Sequence, residues 1–279
     1  MLVYQKGDSK VKKQTPKTLD SGPSTLAHIE EVRKSILPIA NRLMFRAEHN
    51  ADHRRILSQL SYVLNVRGRL HDQSKLEEPE KAVFDRFMDN LSKTNFNADT
   101  IAEYKANMSV ALEHHYSTNK HHPEHYVNGV YGMDLVDVTE MLADWCASSL
   151  RNKDGSISNS LHVCSERFKL TPTMKAILVN TCKAHKLGKD VDKLGKFTNR
   201  SSNYHPSNYN CEFEGLTLDM FFEYYAHLVT IYEAKPLLER VPSVPKFREL
   251  TLIDGADPML SAVLANTFIN FCYTNPSNK

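Results

Sequence analysis

Several features that would place this chain in a special class of protein are scarce or missing. Its five cysteines are odd in number and form no CxxC pair, so we expect buried free thiols rather than a disulfide framework or a thiolate zinc site. No hydrophobic run approaches the ~18 residues of a membrane span. The N-terminus MLVYQKGDSK also lacks the apolar core of a secretory signal. These absences predict a cytoplasmic protein without a membrane partner.

A large net charge is missing as well. The formal charge is +2, and residues 1–27 carry five lysines against two aspartates, which leaves residues 28–279 at about −1. A nearly neutral body offers no basic surface to phosphate backbones, so we expect no general affinity for nucleic acids. The first 27 residues are rich in Lys, Ser, Thr and Pro and show no apolar period, which predicts a flexible N-terminal tail.

No stretch alternates apolar and polar residues with a period of two, which argues against β-strands. Apolar residues recur instead at helical spacing, so the chain is predicted to be all-α. Pro38 should kink or divide the first of the predicted helical runs. These runs span residues 28–64, 79–93, 98–116, 134–151, 171–185, 216–235 and 257–273.

A long polar segment at residues 186–215 separates the predicted helices into two parts. Loops of that length are typically functional or disordered. We therefore expect a helical body over residues 28–185 and a C-terminal helical extension over residues 186–279. Aromatic residues of this loop either close over a base or sugar or belong to a simple connector; they are Tyr204, Tyr209 and Phe213.

The last predicted helix has one strongly apolar face. This face either caps the core or forms a homodimer. It consists of Met259, Leu260, Val263, Leu264, Phe268 and Phe271.

Histidine is abundant, and it is concentrated near carboxylates. Five of the thirteen histidines fall within the twelve residues HHYSTNKHHPEH, and a His-Asp doublet opens the stretch HDQSKLEEPE. An apolar stripe of Ile101, Tyr104, Met108 and Ala111 leads to His115, which predicts that this imidazole points inward. An inward histidine is either a hydrogen-bonded core residue or a ligand.

Acidic residues line up on a helix that should be half buried. Asp137, Glu140 and Asp144 lie at i, i+3 and i+7, and such a stripe is either solvated or neutralised by a cation. Imidazole and carboxylate together suit transition metals without thiolates. The two features together predict a site for one or two divalent ions, drawn from Mn, Co, Zn, Fe, Ni and Mg.

The residues of this predicted site resemble a known superfamily. His71-Asp72 and the lysine of HDQSK resemble the HDxxK signature of HD-domain metal-dependent phosphohydrolases, which are all-helical. More narrowly, HDQSKLEEPE, HHYSTNKHHPEHY, EMLADWCASSLR and NSLHVCSERFKLTPTMKAILVNT resemble an uncharacterised HD-like family of bacteria and tailed phages, over roughly residues 49–183. The resemblance implies an HD-domain-like helical bundle in the cytoplasm, or in the host cytoplasm if a phage encodes the chain.

The resemblance also implies an order of metal ligands, which begins with an upstream histidine. His53 is the preferred candidate and His49 the alternative. One straight helix would hold His53 ~27 Å from His71 at 1.5 Å per residue. This assignment therefore requires a break in the helix near residues 65–68.

The order continues with the His-Asp doublet, further histidines where two metals bind, and a downstream aspartate. Asp144 is favoured over Asp137 and Glu140, because MLADWCAS best resembles the helix that carries the superfamily's last ligand. His115, His121 and His122 would hold a second ion or contact the phosphate. The predicted ligands are His53, His71, Asp72, His115, His121, His122 and Asp144.

The chemistry implied by the resemblance is phosphoester hydrolysis, in which the metal lowers the pKa of a bound water and holds a phosphoryl oxygen. Lys75, predicted to be catalytic with Asp72 and His115, either contacts the substrate phosphate or pairs on the surface with Glu78 or Glu80. Glu80 or Glu124 would orient a ligand histidine. The candidate substrate-binding residues are Arg151 and Arg167, as forks for phosphate, together with Glu124.

Four functions follow from the resemblance, and the leading one is a nucleotide phosphohydrolase, most concretely a 5′-deoxynucleotidase acting on deoxynucleoside monophosphates. The dense histidine segment favours a phosphodiesterase of cyclic or linear dinucleotides, although a GYP triplet is absent. A di-iron oxygenase and a non-catalytic binding protein braced by metal are the remaining alternatives. The expected partner is a small-molecule phosphoester, foremost a nucleotide.

Overall fold

The structure is a computed structural model, and it describes most of the chain. Three predictions lie wholly or partly outside the described residues: the flexible tail over residues 1–18, the polar loop over residues 195–214 with Tyr204, Tyr209 and Phe213, and the side chains of Ile101 and Tyr104. The backbone alone is described for residues 87–93, 98–107, 231–233 and 272. The described residues are 19–93, 98–151, 153–194, 215–233 and 257–272.

These residues form nine α-helices and no strand, so the all-α prediction is confirmed. Short 3₁₀ turns occur at Gln73–Leu76, Pro123–His125, Gly129–Gly132 and Val191–Lys193. Within the described part of the chain, no helix combines the length and apolarity needed to cross a membrane. The helices are α1 Gly22–His49, α2 Arg54–Leu70, α3 Glu80–Lys93, α4 Ala98–Thr118, α5 Leu135–Arg151, α6 Ile157–Arg167, α7 Pro172–His185, α8 Leu218–Glu233 and α9 Pro258–Cys272.

Helix α1 begins earlier and runs further than predicted. It starts at Gly22 with Pro23 in the first turn, where a missing N–H removes no helical hydrogen bond. Ser21 anchors this start to α3, because its N–H and hydroxyl both donate to Asp85 Oδ1, at 2.7 and 2.6 Å. The predicted tail is therefore wrong for residues 22–27, which belong to the helix.

Pro38 does not divide α1, which continues to His49. Proline at this position leaves the Lys34 carbonyl without its helical partner. Because Lys34 is exposed, water can donate a hydrogen bond to this carbonyl in place of the missing N–H, at little cost. Of the two predicted effects of Pro38, division of the helical run is therefore wrong, and a kink stays a prediction.

Helix α2 is continuous from Arg54 to Leu70, so the predicted break near residues 65–68 is wrong. Gly68 allows α1 to approach closely: a Cβ at this position would meet Ile36 Cδ1 at 3.2 Å and Arg33 Cα at 3.4 Å. Ser61 Oγ also donates to the Ala40 carbonyl at 2.9 Å. The glycine thus serves the packing of the α1–α2 hairpin rather than a bend.

Helix α5 lies at the centre of the core, with thirteen of its seventeen residues buried. Apolar residues of α1, α2, α5, α6 and α7 form one continuous hydrophobic cluster with those of α8 and α9. Leu135 N–H donates to Thr267 Oγ1 of α9 at 2.9 Å. Most of the predicted apolar face of α9 is buried in this cluster, which supports its role as a cap on the core.

An ionic cluster connects α1, α7 and α8. Asp219 lies 3.2 Å from Arg46 and 2.9 Å from His185, and it accepts the Thr217 hydroxyl at 2.6 Å. Arg46 also pairs with Glu223. Burial alone would raise the pKa of Asp219, but hydrogen bonds from His185 and Thr217 lower it to about 2. The C-terminal helices are therefore attached to the body by charge as well as by apolar contact.

The described cysteines agree with the prediction of free thiols. Cys146 and Cys182 are buried with their sulfurs 3.7 Å apart, and Cys164 is half-buried. None of these three thiols belongs to the clusters of histidine and carboxylate side chains in the described residues.

Candidate metal centre

The His-Asp doublet lies where helix α2 ends. His71 follows the last helical residue, and Asp72 adopts a left-handed backbone with φ 53° and ψ 20°. This conformation costs a non-glycine residue roughly 1 kcal/mol. It turns the chain into the 3₁₀ turn Gln73–Leu76 and lets both consecutive side chains point inward, where each is almost fully buried.

The first of two ligand groups is formed by His28 of α1, His71 and Asp144 of α5. Asp144 Oδ1 lies 2.9 Å from His28 Nε2 and 3.9 Å from His71 Nε2. Asp72 Oδ2 lies 3.9 Å from His28 Nε2 and 3.5 Å from His71 Nε2. We call His28, His71 and Asp144 the first group.

The second group contains three of the five histidines at the end of α4 and in the loop that follows it. His115 Nε2 and His122 Nε2 lie 2.8 Å apart. Asp72 Oδ1 lies 3.4 Å from His115 Nε2 and 3.5 Å from His121 Nε2. The ligand atoms of these four residues all lie within 4.8 Å of one another. We call His115, His121 and His122 the second group.

Asp72 lies between the groups, with one oxygen toward each. Three buried polar atoms at this junction have no hydrogen-bond partner among the residues that the structure describes: His71 Nε2, His121 Nε2 and Asp72 Oδ1. Leaving such atoms unsatisfied is costly, and native proteins seldom do so without a ligand or water. Imidazole and carboxylate donors converging in this way fit one or two divalent cations. The donor set alone does not select among these metals.

The electrostatics of the site favour the metal-binding protonation state at Asp72 and His122. Burial alone would raise the pKa of Asp72, but His71, Lys75 and the second-group histidines outweigh it and hold this pKa well below its usual range. Burial and the neighbouring His121 and His115 lower the pKa of His122 to about 2. An ionised carboxylate and a neutral imidazole are the forms that act as metal ligands. At His71, burial alone would lower the pKa, but the charge of Asp72 and the hydrogen bond to Glu140 outweigh it and raise this pKa.

Two buried carboxylates hold ligand imidazoles by their Nδ1 atoms. Glu140 Oε1 lies 2.8 Å from His71 Nδ1 and 3.2 Å from His121 Nδ1. Glu80 Oε2 lies 2.9 Å from His115 Nδ1, while its other oxygen contacts His114. When Nδ1 donates to a carboxylate, Nε2 is left free for a metal. Glu80, not Glu124, therefore has the predicted orienting position.

The acidic stripe of α5 has three different partners. Asp144 faces the first group, Glu140 faces two Nδ1 atoms, and Asp137 Oδ1 accepts from Arg67 at 2.8 Å. Asp137 and Glu140 are buried, and Asp144 is mostly so, which makes a solvated surface the wrong interpretation. The geometry brings Asp144, rather than Asp137 or Glu140, to the Nε2 atoms of the first group.

His53 is not near the site, so its assignment as a ligand is wrong. It precedes α2 while His71 follows it, and a continuous helix of 17 residues separates the two by ~25 Å. His53 contacts Asn50 and the ring of His227 instead. His49, the alternative, lies at the end of α1 with its Nδ1 2.7 Å from the Phe45 carbonyl.

His28, rather than His53, has the position of the upstream histidine ligand, with its Nε2 2.9 Å from Asp144 Oδ1. The sequence contains a signal for it, because His28, Val32 and Ile36 recur at i, i+4 and i+8 and share the buried face of α1. The predicted tail boundary makes His28 the first residue of its helix, whereas in the structure six helical residues precede it.

Lys75 contacts the site directly. Its Nζ lies 2.5 Å from Asp72 Oδ2 and 5.6 Å from the centre of the Phe84 ring. Its partner is thus the aspartate of the doublet rather than Glu78 or Glu80. The side chain is 23% exposed, which leaves its ammonium at the border between the buried ligands and solvent.

The predicted substrate-binding residues lie at the surface. Arg167 forms an ion pair with Glu124, and its guanidinium lies 4.9 Å from the centre of the Phe168 ring. Arg151 donates to Ser24 Oγ at 2.7 Å, one helical turn before His28 on α1. Neither arginine is seen to contact a ligand histidine in the described part of the chain, so their role in binding phosphate stays a prediction.

Comparison with known proteins gives one family. The model of a family of unknown function (DUF5662) matches residues 18–184, which is more than half of the chain and includes every residue of both ligand groups. Searches of curated proteins and of solved structures found no match.

Proposed function

The chain belongs to the DUF5662 family of unknown function, and from the site that this family match encloses we propose that the protein is a metal-dependent phosphohydrolase acting on nucleotides. One observation carries the proposal: the two oxygens of Asp72 face two separate histidine groups. A carboxylate shared in this way suits two neighbouring ions, an arrangement common among enzymes that hydrolyse phosphoesters.

The order of the ligands along the chain supports the same proposal. His28, His71, Asp72 and Asp144 appear as an upstream histidine, a His-Asp doublet and a downstream aspartate. This is the order that the resemblance to HD-domain phosphohydrolases implies. The second group supplies the further histidines that accompany a second metal in that superfamily.

The bound ions, the two buried glutamates and Lys75 would each have a distinct part in the reaction. Bound ions would lower the pKa of a coordinated water and hold phosphoryl oxygens. Glu140 and Glu80 accept the Nδ1 protons of His71 and His115, which fixes the tautomer that leaves Nε2 free for a metal. Lys75, at the solvent border of the site, would place its ammonium beside the substrate phosphate and offset the charge that develops there.

The substrate that we propose is a deoxynucleoside monophosphate, cleaved by a 5′-deoxynucleotidase reaction; this choice rests on analogy with the superfamily. The second group favours one other candidate, a phosphodiesterase of cyclic or linear dinucleotides, since diester cleavage uses two ions effectively. Product analysis separates the two, because only the monoesterase releases inorganic phosphate from a monophosphate.

The test is turnover by metal-free protein reloaded with Mn²⁺ or Co²⁺, measured as phosphate release from a panel of nucleotides and by chromatography of the products from a panel of dinucleotides. Asp72→Ala should abolish turnover because it removes the carboxylate shared by both groups. The matched control is Asp154→Ala, which removes an exposed carboxylate in the turn before α6 and should leave turnover unchanged.

Absence of turnover by the metal-loaded wild type on the whole panel would contradict the proposal. Iron retained at two ions per chain, with the spectroscopic signal of a di-iron pair and uptake of oxygen, would point instead to the oxygenase alternative.

A further inference from the structure

Besides Asp72, Glu140 is a carboxylate that contacts a ligand of each group. A single oxygen, Oε1, lies 2.8 Å from Nδ1 of His71 in the first group and 3.2 Å from Nδ1 of His121 in the second. The two rings lie face to face at a tilt, with their centres 4.2 Å apart. In the described part of the chain, the Nε2 atoms of both rings have no hydrogen-bond partner.

Glu140 is itself held firmly by Arg67 of α2. Arg67 Nε donates to Glu140 Oε2 at 2.6 Å, and its other arm donates to Asp137 Oδ1 at 2.8 Å. Asp137 in turn accepts the Tyr126 hydroxyl at 2.5 Å and the Asp134 N–H at 3.1 Å. Because Glu140 is buried and both of its oxygens have partners, it cannot turn toward one imidazole without changing its contact with the other.

We propose that Glu140, fixed by Arg67, is a positioning residue shared by the two groups and that it couples metal binding between them. An ion held by His71 would fix that imidazole and, through the shared Oε1, remove the freedom that is left in the unit formed by His71, Glu140 and His121. His121 then has less freedom to lose when the second ion binds, which makes the second binding step more favourable. This inference rests on the two-metal centre proposed above.

Glu80 provides the matched comparison. It is also buried and also contacts a ligand Nδ1, but the only ligand it touches is His115 of the second group. Loss of Glu80 should therefore weaken one group, whereas loss of Glu140 should weaken both.

The experiment is a titration of metal-free protein with Co²⁺ alone, followed by the visible absorption of the bound ion and by metal content. Two backgrounds isolate the groups: Asp144→Asn leaves the second group intact, and His122→Ala leaves the first. Glu140→Gln should weaken Co²⁺ binding about tenfold or more in both backgrounds, the usual effect of losing such a partner. Glu80→Gln should do so only in the Asp144→Asn background.

In the otherwise unaltered chain, Glu140→Gln should also abolish any cooperativity between the two binding steps. Glutamine keeps the shape of the side chain, but its amide must turn an N–H toward either Arg67 or the imidazoles, so one set of contacts is lost. Arg67→Lys gives a second variant that disturbs Glu140 without replacing it, and it should weaken both groups in the same direction by a smaller factor.

Circular dichroism and melting temperature confirm folding in each variant, and Arg67→Lys is used if Glu140→Gln does not fold. If Glu140→Gln weakened Co²⁺ binding in one background only, or if the wild type bound fewer than two Co²⁺ ions, the inference would be overturned. The proposed reaction is judged separately: two cooperatively bound ions without phosphoester hydrolysis would leave the coupling intact and remove the phosphohydrolase.

Discussion

At the scale of single residues, the site depends on which nitrogen of each imidazole is available. Three ligand histidines donate Nδ1 to a buried carboxylate, so the Nε2 atoms of His71, His115 and His121 all turn toward Asp72. Among the described residues, the Nε2 atoms of His71 and His121 have no hydrogen-bond partner, and a histidine buried only for packing would have no reason to leave Nε2 unsatisfied. The arrangement therefore has the chemistry of a ligand set rather than of a hydrogen-bonded core.

His28 and His53 allow a direct test of the upstream ligand. His28→Ala should weaken binding of Mn²⁺ or Co²⁺ at least tenfold, because Asp144 loses the imidazole 2.9 Å from its oxygen. His53→Ala should leave binding unchanged, since His53 lies at the far end of α2. Titration of both metal-free variants measures the difference. A loss of affinity in His53→Ala with none in His28→Ala would reverse the assignment.

A substitution of Lys75 should affect catalysis and metal binding differently. Lys75→Met should lower kcat on the responding nucleotide by roughly a hundredfold, a common effect of losing one charge at the transition state. Metal affinity should stay equal or increase, because an ammonium no longer competes for Asp72 Oδ2. Steady-state kinetics and a metal titration measure the two effects.

The control for this change is Lys81→Met. Lys81 pairs with Asp20 and Asp85 rather than with the site, so its loss should leave kcat unaltered. Equal kcat in Lys75→Met and the wild type would remove Lys75 from the reaction.

At the scale of helices, the sequence predicted those elements whose apolar stripes are long. The stripe of α4 placed His115 inward, and the structure has it buried beside Asp72. The predicted acidic stripe of α5 is present, but the partner of each acid depends on which helix packs opposite, and no local pattern carries that information. Arg67, which distinguishes Asp137 and Glu140 from Asp144, comes from α2.

Other elements were missed because their local signal is weak. Helix α6, Ile157–Arg167, buries only Ile157, Leu161 and Ser165, too few apolar residues to define a stripe. The start of α1 depends on Ser21 being held by Asp85, a contact made across 64 residues of sequence. This tertiary anchor explains why His28 lies within a helix although the preceding segment looks like a tail.

At the scale of the whole molecule, the ligands come from four separate parts of the chain: α1, the end of α2, α4 with its following loop, and α5. The centre can therefore exist only once the α1–α2 hairpin has packed against α5. The C-terminal helices contribute no ligand among the described residues, yet their apolar side chains join the same core. These helices therefore contribute to the stability of the body, and the Asp219 cluster is where that contribution can be measured.

Asp219→Asn should reduce the free energy of unfolding at neutral pH by about 2 kcal/mol, since a pKa lowered from 3.8 to about 2 corresponds to roughly 1.4 kcal/mol per unit. The folded pKa lies below the unfolded one, so the stabilisation is complete above pH ~4 and disappears as the pH falls toward 2. Urea unfolding of both proteins between pH 6 and 2 should therefore show a difference that shrinks on acidification. A difference that stays constant over this range would mean that Asp219 acts by shape alone, and an unchanged Co²⁺ titration in the variant would confirm that the metal centre does not depend on this cluster.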